Sequence, residues 1–280
     1  IKEITYAKAT HRWSTSKLKF KIENNPEGKQ VELPALKLID ALGYDYIPNY
    51  ELNKEQERPD HRQVLLYSRL KKALKRLNDL DDDGIEDAIN QIHEDQFPAG
   101  TSILDANEKI RIKLIGRSIE NAVAQPITVK QYGKNGIEYR TVKFFDFDPK
   151  TIGTKDDKNE YIVTNQFKHM GNRSDIECDI VCFVNGIPLV VIECKKQTTL
   201  DLMKTAWKDN LERYQRNNLG HQKLFFYNHV IIAVSNIQAR YGTAVAPPNK
   251  YSKWTSLTNI TLDELEQLVG RKPTPQDIMI

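Results

Sequence analysis

Asp179, Glu193 and Lys195 have the residue types and spacing for chemistry on a phosphate ester. Glu193 follows Asp179 by fourteen positions and Lys195 follows Glu193 by two, all within SDIECDIVCFVNGIPLVVIECKK, residues 174–196. Two carboxylates a few ångströms apart repel each other unless a hard divalent cation lies between them. Mg²⁺ is satisfied by one or two carboxylates completed by waters and phosphate oxygens. An ion held this way polarises a scissile phosphate and acidifies a bound water, and an ammonium at the position of Lys195 steadies the developing charge. Acids at the ends of apolar central strands are costly unless paired or bound to metal. Asp179 and Glu193 are therefore the candidate metal ligands, and Asp179, Glu193 and Lys195 the candidate catalytic trio.

The elements that must aim this trio are two β-rich runs, Ile176–Val184 and Pro188–Cys194, separated by Asn185-Gly186, a strong hairpin signal. Side chains alternate faces along a strand, so Glu193 and Lys195 share one face. A strict two-residue loop sets Asp179 opposite Ile192 and leaves the two acids on opposite faces. The site therefore requires an odd-length loop, such as Val184-Asn185-Gly186 with Gly186 left-handed, or a β-bulge. The competing reading is that these charges are wet strand ends without a task.

With 280 residues, 39% of them apolar and 28% charged, the chain can bury a sizeable core in one large α/β domain or two small ones. A net charge of +3 creates no global field for a polyanion, so nucleic-acid contact would be local. The three cysteines, Cys178, Cys182 and Cys194, all fall in the two core runs. Cys178 and Cys182 share a face on a regular strand, but free core thiols in a reducing cytoplasm fit them better than a metal or disulfide site. No run of eighteen apolar residues and no signal-like N-terminus occurs, so neither a membrane span nor secretion is expected. Phosphate-loop, dinucleotide, GxSxG and HExxH motifs are absent.

Along the chain, Lys17–Ile22 alternates like a short strand, and Glu32–Leu42 has helical spacing and a stop at Gly43. Tyr44–Tyr46 leads into a charged loop around Asn53–Asp60. Arg62–Leu77 reads as an amphipathic helix whose basic face (Arg69, Lys71, Lys72, Lys75, Arg76) is either solvated or touches a phosphate backbone. The acidic run Asp81–Asp83 caps a helix over Ile85–Ile92, and another helix covers Leu104–Gly116. Strands follow at Ile127–Tyr132, Tyr139–Phe145 and Tyr161–Phe167, with a turn at Asn135-Gly136. After the hairpin comes a helix over Asp201–Arg216, then strands at His229–Ser235 and Ala239–Ala246. A helix over Thr261–Val269, with Thr261 as N-cap, leads into a linker at Arg271–Pro275. The stretch from Lys195 to Lys223 holds seven Lys/Arg against three acids, the most basic surroundings of the site. Asn210 and Tyr214 stack four apart on its helix. Tyr214 is either a core aromatic or a hydroxyl for a phosphodiester strand, whereas Trp207 reads as core.

The chain resembles the N-terminal nuclease region of the R (restriction, or motor) subunit of type I restriction-modification enzymes. The matching stretches are NEYIVTNQF at 159–167, DIVCFVNGIPLVVIECK at 179–195, NLERYQR at 210–216 and IIAVSNIQARYGTAVAPP at 231–248. Glu32–Tyr46 and Val64–Asn78 are similar too. The resemblance implies the PD-(D/E)XK fold, α/β with a mixed central sheet flanked by helices, and Mg²⁺-dependent cleavage of double-stranded DNA, Mn²⁺ serving as substitute. It implies metal-binding acids at Asp179 and Glu193 and a catalytic lysine at Lys195, with Lys196 beside them toward DNA. Cys178 stands where the family pattern has Pro. Asn210 stands where a Gln is expected four before Tyr214, which would leave its contact weakened or carried through water. Glu32 matches the acid of the first helix, which can complete the metal shell.

The same resemblance implies an endonuclease domain over 1–258, mostly helical to 120 and sheet-bearing from 121, and a helix and linker over 259–280 toward a downstream motor. ATP and S-adenosylmethionine would serve only the full enzyme. Its partners would be methyltransferase and specificity subunits, and its sequence preference slight. Two alternatives remain at this stage: a silent DNA-binding or docking module of the same fold, or a repair or recombination nuclease of the same superfamily.

Overall fold

A computed structural model describes residues 27–52, 57–58, 60–98, 100–116, 126–133, 136–171, 175–196, 201–215, 222–235, 238–254 and 262–270. The expected strand at Lys17–Ile22, the Thr261 cap, the linker at Arg271–Pro275 and Asn135 of the second turn lie outside the described residues.

Among the described residues, apolar strand runs flanked by helical ones fold into a seven-stranded mixed sheet whose strands follow in spatial order. Its strands are β1 (Asp45–Tyr46), β4 (Tyr161–Met170), β5 (Asp175–Val184), β6 (Ile187–Cys194), β7 (Val230–Val234), β8 (Ala239–Gly242) and β9 (Ser252–Lys253). β1 runs parallel to β4 and β6 parallel to β7; the other neighbours are antiparallel. The sheet with helices on both faces is compatible with the PD-(D/E)XK-like nuclease fold. β2 (Thr128–Gly133) and β3 (Gly136–Thr141) form a separate two-stranded ribbon.

Helix α1 (Leu33–Ala41) and the turn before it cover one face, packing Ala35, Leu36 and Ile39 of α1 and Val31 of that turn over Val163, Ile180, Cys182, Ile192 and Cys194. The other face carries the larger core, where α2 (Asn49–Leu52), α3 (Tyr67–Leu77), α4 (Asp82–Ile92) and α5 (Ile103–Ile115) meet Phe167, Phe183, Val191 and Ile231. Each fully buried Leu or Phe there contributes about 2 kcal/mol. The expected capping acid is present, but its helix starts at Asp82, three residues before the expected Ile85, while the end at Gly116 holds to within one residue. Asp81 accepts from the Gly84 amide at 2.7 Å to start α4, and Gly116 closes α5 at φ 68°.

Several elements differ from the sequence reading. The helix expected from Arg62 begins at Tyr67, because the preceding residues dock in a turn and the Leu66 amide donates to the Gly186 carbonyl at 2.9 Å. Tyr44–Tyr46, read as leading into a loop, supplies β1, which has a strand edge to pair with. The strand expected at Tyr139–Phe145 is displaced to Gly136–Thr141, and the one at Ala239–Ala246 ends at Gly242. The basic face of α3 is largely engaged within the fold. Lys71 pairs with Glu86, Lys75 with Asp82 and Arg69 with Glu57 and Glu160, while Arg76 donates to the Lys158 carbonyl.

Candidate functional site

Convergence of the trio rests on one extra residue. Asn185 (φ 52°) and Gly186 (φ 82°) make a two-residue turn closed by Val184 opposite Ile187. That loop alone would place Asp179 against Ile192. The register shifts farther along: Phe183 pairs with Pro188 but Cys182 pairs with Val190, so Leu189 is an inserted bulge residue. Pro188 lacks an amide for the ladder, and the Leu189 carbonyl turns to accept from His229 at 2.8 Å. Beyond the bulge Ile180 faces Ile192, so the next positions, Asp179 and Glu193, stand opposite each other. The need for a bulge or odd loop was legible; its position was not. The suggested three-residue loop at Val184–Gly186 is replaced by a tight turn plus a bulge at Leu189.

Glu193 is fully buried. Its Oε1 accepts from Lys195 Nζ at 2.6 Å and from the Asn210 amide, while its Oε2 is buried without a hydrogen-bond partner. An orphaned buried acceptor of this kind costs about 1–3 kcal/mol, and more when charged. Asp179 Oδ2 accepts from the Cys194 amide at 2.7 Å, where a regular ladder would use a backbone carbonyl. Burial and then repulsion from Glu193 push the Asp179 carboxyl well above the usual range. Burial likewise raises Glu193, partly offset by Lys195 and Asn210. Burial alone would lower Lys195, but Glu193 and Asp179 outweigh it and keep the ammonium charged. The Lys195 amide donates to Val234 at 2.9 Å, anchoring the end of β6 to β7.

Asp179 and Glu193 could hold a divalent ion: they face each other, repel each other, and offer an unsatisfied oxygen. Among the described residues no group of three or more His, Cys, Asp or Glu is arranged to hold a metal. The donor set is thus a carboxylate pair, which suits an ion that keeps waters and takes phosphate oxygens.

The other predicted residues take distinct places. Asn210 reaches Glu193 directly, so its shorter amide needs no bridging water. It sits on a π-helical turn, Trp207–Leu211, between α6 (Leu202–Ala206) and α7 (Glu212–Tyr214). Tyr214 is buried and its hydroxyl donates to the Glu177 carbonyl at 2.9 Å, bracing β5 two residues before Asp179. Lys196 is exposed at the end of β6. Glu32 closes a second π-helical turn, Gly28–Glu32, and is buried, accepting from Asn165 at 2.5 Å and Gln166 at 3.1 Å. Tyr46 on β1 donates to Asn165 at 2.7 Å. Asn165, Gln166 and Tyr46 were missed in the sequence, although two consecutive amides inside the run YIVTNQF are an unusual core pair.

Cys178 and Cys182 do not share a face. Cys178 lies in the larger core and Cys182 in the smaller, because the alternation of β5 shifts between them. All three thiols are free and buried, and burial pushes Cys182 up to about 12.

Fold and site together define a mixed α/β domain whose central hairpin carries an Asp–Glu–Lys cluster, with Glu193 and Lys195 buried and Asp179 half-buried. The family described as "Type I restriction enzyme R protein N terminus" matches residues 25–250, and the chain belongs to that family. It is 25% identical over 228 residues to the putative type I restriction enzyme MjaIXP endonuclease subunit of Methanocaldococcus jannaschii, covering 80% of this chain and 20% of that one. It is 23% identical over 262 residues to the type I restriction enzyme HindI endonuclease subunit of Haemophilus influenzae, covering 89% of this chain and 23% of the relative. The chain thus spans about a fifth of the length of the curated relatives it matches. No helix among the described residues is long and apolar enough to cross a membrane.

Proposed function

We propose that this chain is the endonuclease module of a type I restriction enzyme R subunit and hydrolyses phosphodiester bonds of double-stranded DNA with Mg²⁺. The observation that carries this reading is Glu193: fully buried, bound on one oxygen by Lys195 and Asn210, and unpartnered on the other beside Asp179. A site kept only for packing would be more stable with neutral residues here. Its expense in stability is intelligible if the two carboxylates receive a cation.

In this reading Asp179 and Glu193 would hold the ion, which would supply polarisation of the phosphate and a more acidic water. Lys195, tied to Glu193 and kept protonated, places its positive charge where charge develops as water adds to phosphorus and the P–O bond breaks. Asn210 fixes the rotamer of Glu193, and Tyr214 fixes the strand bearing Asp179. Lys196, exposed beside them, supplies a sequence-independent phosphate contact. Glu32 supports the cluster from the opposite element. The nuclease module of this reading corresponds to the family match over residues 25–250. The whole enzyme works in the cytoplasm with methyltransferase and specificity subunits, and its ATP and S-adenosylmethionine serve those other parts. Recognition of a DNA sequence belongs there as well, so this module cuts with little preference of its own.

Asp179→Ala and Lys195→Ala, each placed in the assembled enzyme, should lower DNA cleavage by at least about a hundredfold while assembly survives. Calorimetric titration of the chain with Mn²⁺ should give heat that disappears in Asp179→Ala. Undiminished cleavage in both variants, or no Asp179-dependent heat, leaves a docking module in place of a nuclease.

A further inference from the structure

Gln166 is left-handed, φ 51°, in the middle of the ten-residue strand β4. A non-glycine residue rarely adopts that conformation inside a sheet, and such strain gathers at functional sites. Its place in the register is telling. Asn165 pairs with Ile180 and Phe167 with Cys178, so Gln166 stands across from Asp179 in the one gap of that ladder.

The same point is where both strands change alternation. On β4, Ile162 lies in the larger core and Val163 in the smaller; regular alternation would send Phe167 to the smaller, yet it lies in the larger. On β5, Cys178 packs in the larger core and Ile180 in the smaller, two residues apart. The shift brings neighbouring side chains to one target. Successive strand residues ordinarily point to opposite faces, but Asn165 and Gln166 both donate to Glu32, at 2.5 Å on Oε1 and 3.1 Å on Oε2. Glu32 in turn lies close enough to raise the Asp179 carboxyl further.

We propose that Gln166 is a positioning residue for the metal site: its left-handed backbone frees Asp179 from the regular ladder, and its amide holds Glu32 as an outer-sphere acid beside the carboxylate pair. This rests on the nuclease reading above. Each Glu32 oxygen already accepts from an amide, which suits Glu32 to an outer-sphere role through water and through Asp179 in this proposal. Neighbours of metal ligands that orient them in this way change metal affinity by about 10–100-fold when removed.

Gln166→Gly separates the two roles, because glycine accepts the left-handed backbone without strain and deletes only the amide. In the 280-residue chain, Q166G should keep or raise the melting temperature yet bind Mn²⁺ about tenfold more weakly by calorimetry. Gln166→Asn, which tolerates the same backbone and retains a shorter amide, should recover part of that loss. A purely structural Gln166 would alter melting and leave Mn²⁺ affinity at the wild-type value in Q166G, which would overturn the inference. The parallel titration of Asp179→Ala separates the two failures. If the wild type shows no Asp179-dependent binding, the nuclease reading falls and this inference with it. If the wild type binds and Q166G binds equally, this inference falls alone.

Discussion

The β5–β6 hairpin has two ends built on opposite terms. At its turn, polar groups are satisfied. The Asn185 side chain donates to the Phe144 carbonyl at 2.9 Å and to Asn159 at 3.0 Å, and accepts from the Glu160 amide at 2.8 Å and from Arg76 at 3.2 Å. At the other end two acids face each other under burial, one carboxylate oxygen has no partner, and the adjoining strand holds a strained backbone. The turn stabilises the fold, and the far end accepts a cost that the fold itself does not require. Local rules are obeyed where structure is at stake and broken where chemistry is expected.

Four measurements test that contrast. The largest effect belongs to Gly186→Ala at the turn. A Cβ there would meet the Leu66 carbonyl at 2.6 Å on a backbone already at φ 82°, so urea unfolding should show a loss of about 3 kcal/mol. Asn185→Ala strips the buried Phe144 carbonyl and Glu160 amide of their partner and should lower stability by about 2 kcal/mol in the same assay. A variant at either position that unfolds like the wild type would deny the turn its structural role.

At the site the sign reverses. Asp179→Asn should stabilise the metal-free chain by about 1 kcal/mol at pH 8 while cleavage is lost. The Asp179 carboxyl is raised in the folded state by burial and by Glu193. The folded chain therefore holds that proton to higher pH than the unfolded one. The associated stability is present below the unfolded pKa and is lost as pH rises through the folded value. Metal-free melting temperatures should fall from pH 5 to pH 8 by more in the wild type than in Asp179→Asn, and excess Mg²⁺ should narrow the difference. Equal pH profiles in the two proteins would end the claim that these acids strain the fold. The smallest change in stability is expected for Asn210→Ala, below about 1 kcal/mol because Lys195 still binds Glu193. Its cleavage in the assembled enzyme should nevertheless drop about tenfold. A large loss of stability with unaltered cleavage would make Asn210 part of the scaffold instead.

Much of the site was readable in advance for a local reason. Asp179, Glu193 and Lys195 sit on two strands joined by a short turn, so alternation and loop parity constrain them without knowledge of the rest of the fold. The same reasoning demanded an irregularity, and the bulge at Leu189 supplies it. The reading failed where partners come from far along the chain. Val64–Leu66 carry helical spacing, but docking on Gly186 holds them outside the helix. Tyr214 was open between core and DNA, and its hydroxyl is taken by Glu177, a backbone partner that spacing cannot disclose. Asn165 and Gln166 gain their meaning only through Glu32, more than a hundred residues earlier.

Sequence by itself singled out Asp179, Glu193 and Lys195 as candidates, because strand alternation and a hairpin signal act over a few residues, and its resemblance along nearly the whole chain carried the fold class and the family. Tertiary structure alone decided which acid is buried without a partner, where the bulge falls, and which strand residue is bent left-handed to grip Glu32. Those outcomes depend on desolvation and on hydrogen-bond partners brought together by the sheet, and neither quantity exists until distant segments pack.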